Sequence, residues 1–74
     1  MEVKHSKYFD ETYTIKGAKG HYYLENAKYC HLHDAIKVKR MLHSGKRWEA
    51  EDVYFKTEVF KELKEKVEKL NKKG

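Results

Sequence analysis

The side chains best suited to chemistry in this 74-residue chain are five histidines, His5, His21, His31, His33 and His43, and one cysteine, Cys30. Cys30 and His33 form a Cys-x-x-His pair, and on a helix residues three apart lie close enough to share a metal. Structural zinc needs four ligands. No second cysteine exists, His43 lies nearly three helical turns beyond His33, and His31 and Asp34 would not point fully the same way. The spacing therefore predicts no metal site, and Cys30 reads as a small, partly buried residue.

Nucleophilic catalysis by Cys30 would need an adjacent base and a third group to orient it. His33 is the one local base, and nothing supplies the third group. General acid–base cleavage of RNA needs fewer parts, such as His21 beside Tyr23 and Lys16. Any tyrosine-rich basic sheet would offer that trio, so the chain reads as non-enzymatic and without a cofactor. The loop Gly17-Ala18-Lys19-Gly20 is glycine-rich but lacks the spacing and the closing Gly-Lys-Ser/Thr of a phosphate-binding loop. It reads as a hairpin turn whose lysine and backbone N–H groups can approach a phosphate.

The elements that must position these residues begin with a hairpin. Residues 12–16 and 21–25 are rich in β-branched and aromatic side chains and flank that short glycine loop. Pairing Lys16 with His21 sets Ile15 opposite Tyr22 and Tyr13 opposite Leu24, which gathers all four apolar side chains on one face. Thr12, Thr14, Lys16, His21, Tyr23 and Glu25 then occupy the other. An earlier strand over residues 4–9 can join through a turn at Asp10-Glu11. From Asn26, a plausible N-cap, to Gly45, placed as a C′ glycine, the spacing of Ala27, His31, Ala35, Val38 and Leu42 predicts a helix. Its opposite face would carry His33, Lys37, Arg40 and Ser44. Residues 47–55 read either as the start of a long helix or, favoured by Val53-Tyr54-Phe55, as a short strand. A final helix from Glu58 to about Lys72 follows from the spacing of Phe60, Leu63, Val67 and Leu70, and Glu62–Lys66 and Glu65–Lys69 support it as i,i+4 pairs.

The expected fold is therefore a single small α+β domain. It has an antiparallel β-hairpin or three-stranded sheet followed by two α-helices, with a short extra strand near residues 52–55 as an option. Ten aromatic residues supply the core of a chain of low mean hydropathy. No apolar leader or membrane-length apolar run occurs, and one cysteine forms no internal disulfide. The chain reads as cytoplasmic.

The net charge of +5 is unevenly spread. Residues 21–47 hold six basic residues against two acids, while residues 48–74 hold seven of each. A concentrated basic patch favours an anionic partner. The expectation is a nucleic-acid-binding module that grips the phosphate backbone of DNA or RNA through a basic helix and a hairpin face. The residues expected to bind are Lys16, Lys19, His21, Tyr23, His33, Lys37, Arg40, Lys46 and Arg47. The alternative is a protein-binding modulator or inhibitor that uses the aromatic hairpin or the last helix. Val67 and Leu70 would then meet a protein partner or a second copy in a homodimer.

Overall fold

The computed structural model describes residues 2–72. The expected hairpin is present as β2 (Tyr13–Ile15) and β3 (His21–Cys30), paired antiparallel. Its register differs from the expected one, because Tyr13 rather than Ile15 lies opposite Tyr22. The shift is two residues, and strand side chains alternate with period two, so every side chain keeps its face. Tyr13, Ile15, Tyr22 and Leu24 are all buried. The connecting loop turns at Gly17 and Gly20, whose φ values of 85° and 98° suit glycine. β1 (Val3–His5) pairs antiparallel with β2, a shorter strand than residues 4–9, and Glu11 turns the chain at φ 64°.

The helix expected from Asn26 to Gly45 does not form. In its place β3 continues to Cys30, His31-Leu32-His33-Asp34 makes a turn, and β4 (Ala35–His43) returns antiparallel. β5 (Trp48–Phe55) pairs with β4 over its full length, so residues 47–55 resolve as a strand longer than 52–55. The fold is thus a five-stranded antiparallel sheet in the order β1-β2-β3-β4-β5, followed by one helix, α1 (Thr57–Lys72). It is not a three-stranded sheet with two helices.

Two physical ambiguities explain the misread helix. A spacing of four residues satisfies both helical and strand periodicity, so Val38 and Leu42 share a face either way. Ile36 decides between them: a strand sets it beside Val38, and it packs against the buried core there. The second ambiguity is a break in β3. Lys39 faces Tyr23, but two residues earlier on β4 Lys37 faces Lys28, so four β3 residues oppose Val38 alone. This irregularity inverts the alternation of β3 and hides the strand from a period-two reading. Gly45, at φ 101°, serves the β4–β5 turn instead of ending a helix, and Ser44 N–H donates to Arg47 O at 2.9 Å.

α1 begins within a residue of its expected start. Its Leu63 and Val67 are buried, with Val59, Phe60 and Leu70 packed around them. Glu58 in the first turn and Lys69 and Lys72 in the last complement the helix dipole. α1 crosses β1, β3 and β4 on one face, closing the core over Val3, Tyr13, Ile15, Tyr22, Leu24 and Val38. Among the described residues no helix is long and apolar enough to cross a membrane.

Candidate nucleic-acid interface

Residues directly opposite on paired strands share a face. On the side of the sheet away from α1, the register therefore builds five rows over the last three strands. His43 faces Trp48; His21, Met41 and Ala50 align; Tyr23, Lys39 and Asp52 align; Lys28, Lys37 and Tyr54 align; and Cys30 faces the buried Ala35. α1 does not cover this face; only the β1–β2 loop reaches over one end of it.

One end of it is a cluster of rings. The β1–β2 loop brings Tyr8 and Phe9 over the strands, where Phe9 meets Trp48 edge-on at 4.9 Å and Tyr8 lies 5.8 Å from it. His21 and His43 approach the same indole at 5.3 and 5.0 Å. Ser6 Oγ lies 2.6 Å from His21 Nδ1 and fixes that ring. Edge-to-face packing leaves the quadrupoles well matched but does not bury the rings. Tyr8 stays 73% exposed and Trp48 39%.

The other end carries a second ring pair. His33, from the β3–β4 turn, stacks on Tyr54 with centroids 3.9 Å apart and planes 18° apart. Cys30 Sγ lies 3.2 Å from His33 Nδ1. Asp34 adopts φ 49° in this turn and accepts a hydrogen bond from Tyr29 OH. That bond pushes the Tyr29 phenol above its ordinary pKa. Between the two ends Lys39 sits over the Tyr23 ring at 5.4 Å, and Lys37, level with Tyr54, pairs with Asp52 at 3.5 Å.

Four of the residues singled out from sequence, His21, Tyr23, His33 and Lys37, meet on or beside this face. The others are placed elsewhere. Lys16 and Lys19 are exposed in the β2–β3 loop, where Lys16 N–H donates to Glu2 O. The Lys19 carbonyl accepts from Tyr22 OH at 2.8 Å, so the loop is closed by its own bonds. Lys46 and Arg47 are exposed at the β4–β5 turn, with Arg47 3.6 Å from Glu49.

Arg40 lies in register with Tyr22 and Glu51, on the side that faces α1. It pairs with Glu51, donates to Tyr22 OH at 3.3 Å, and packs its stem against Gly20, where an added Cβ would meet Arg40 Cδ at 2.7 Å. It closes the end of the core. Val67 is core rather than surface, and Leu70 is half-buried against that core.

The sequence reading missed Tyr8, Phe9, Lys28, Lys39, Trp48 and Tyr54. For Trp48 and Tyr54 the available signal is a strand reading over the whole of residues 48–55, which sets both on one face. Cys30 and His33 do approach each other, but among the described residues no group of three or more His, Cys, Asp or Glu forms a metal site. No protein-family model matches this chain, and no curated protein or solved structure matches it either.

Proposed function

We propose that this domain binds single-stranded nucleic acid on the face of its sheet opposite α1. The observation that carries the reading is the coincidence, on the sheet face that α1 leaves open, of partly exposed aromatic rings with lysines set among them. Unpaired bases stack on aromatic side chains with little regard for sequence, and lysines neutralise the phosphates. Lysine acts as a point charge and selects bases poorly, so the expected binding is weakly sequence-specific. The grip moves from the basic helix expected at first to strands β3 and β4, where Lys28, Lys37 and Lys39 project. A duplex offers no free base faces for these rings.

Trp48 is the chain's single tryptophan, so its emission reports contact with this face directly. Titration with labelled single-stranded DNA, single-stranded RNA and duplex, followed by anisotropy and by Trp48 emission, tests the reading. Single strands should bind and quench Trp48, with a log–log salt slope of about −0.7 for each phosphate neutralised. Duplex bound as tightly as single strands, or Trp48 emission unchanged at saturation, would overturn it.

A further inference from the structure

Resting on that reading, we infer that the ligand lies along β4 and β5 and engages both ends of the open face at once, its phosphates over Lys28, Lys37 and Lys39. Trp48 and Tyr54 stand on the same face of one strand, six residues apart. At a rise of about 3.4 Å per residue they are roughly 20 Å apart. The phosphates of a stacked strand are about 3.4 Å apart along its axis, so this span takes about six nucleotides, and an extended strand fills it with about four. A shorter oligonucleotide reaches one ring station or the other.

The row that ends in Tyr54 supplies a second argument. Lys28 and Lys37 are directly opposite across β3 and β4. Like charges in that relation destabilise a sheet. Asp52 answers Lys37 from the β5 side, but among the described residues Lys28 has no ion-pair partner. The free domain carries an unmatched positive charge in the row of the Tyr54 ring. A phosphate over the pair supplies the missing negative charge beside Tyr54, and the backbone that carries it runs on past Lys39 toward the Trp48 station. Two contacts on one strand make the second intramolecular, so affinity rises steeply once the strand spans both.

The test is a ladder of oligothymidylates, from dinucleotide to dodecanucleotide, with a parallel ladder of oligouridylates to decide between DNA and RNA. Affinity should rise sharply at the spanning length and level off beyond it. Tyr54→Leu, which removes the ring and keeps apolar bulk, should weaken the long oligonucleotides roughly tenfold and the dinucleotide, which keeps the Trp48 station, by no more than about twofold. Lys28→Ala should reduce the salt slope by about 0.7 and raise the thermal midpoint of the free domain, a pairing of effects that a merely structural lysine would not give. Lys61→Glu, exposed on α1 behind the sheet, should change affinity little. An even rise of affinity with length, or an unchanged affinity for long strands in a folded Tyr54→Leu variant, overturns the inference while the binding reading stands. If no oligonucleotide binds or quenches Trp48, both are overturned.

Discussion

On the side of the sheet that meets α1, Val3, Tyr13, Ile15, Tyr22, Leu24 and Val38 are at most 7% exposed. On the other side Tyr8, Trp48 and Tyr54 remain between 39% and 73% exposed. Both sides are rich in rings, and they handle them differently. The buried phenols each have a partner: Tyr13 OH donates to Glu25 Oε1 at 2.7 Å, and Tyr22 OH donates to the Lys19 carbonyl. This is the satisfaction a buried hydroxyl requires. The open-face rings touch one another by edges and stacks and have lysines for neighbours. Aromatic content alone therefore does not separate a core from a binding surface. The residues among the rings do: Val3, Ile15, Leu24 and Val38 on the α1 side, and on the open side Lys28, Lys37 and Lys39 beside Met41, Ala50 and Asp52.

Three substitutions test that contrast. The largest effect belongs to Leu63→Ala. Leu63 is fully buried between α1 and the sheet, so the change should cost about 2–5 kcal/mol, a large part of the stability of so small a domain. Urea denaturation followed through Trp48 measures it. A cost comparable to that of Tyr54→Leu, on the open face, would erase the distinction between the two sides.

Arg40→Met comes next. It removes the pair with Glu51 and the bond to Tyr22 while keeping most of the stem, and should cost about 1 kcal/mol. Affinity for single strands should stay within about twofold, since Arg40 lies on the core side. A loss of affinity as large as that of Tyr54→Leu would return Arg40 to the binding surface.

The smallest effect is on the alkaline side. Burial, and then the hydrogen bond to Glu25, raise the Tyr13 phenol above its ordinary pKa. The folded state thus holds this proton more tightly than the unfolded chain. Its contribution is complete below about pH 10 and is lost as pH rises through the folded-state value. Tyr13→Phe should flatten the fall of stability above about pH 10 in chemical denaturation. An unchanged alkaline slope would show that the phenol is not held in this way.

The part of the open face that is legible in the sequence comes from strands that alternate cleanly. His21 and Tyr23 follow the hairpin's polar face, and a register wrong by two still put them on the correct side. His33 and Lys37 are expected on a helix and instead lie in the β3–β4 turn and on β4. Arg40 was grouped with them because a helix would carry Lys37 and Arg40 on one stripe, whereas a strand sends residues three apart to opposite faces. Trp48 and Tyr54 were overlooked because β5 was read as too short to hold both.

The sequence by itself determined the apolar face of the β2–β3 hairpin, the final helix with its buried stripe, and a positive charge concentrated in the middle third. Each depends on neighbours a few residues away. Only the tertiary structure decided that the middle third is a strand pair, because four-residue spacings serve both periodicities and the irregularity after Tyr23 inverts the alternation. It alone decided which rings share a surface, since Tyr8, His21, His43 and Trp48 come from four separate segments. Their proximity depends on pairing register and on the face α1 covers, which are long-range properties of the packed chain.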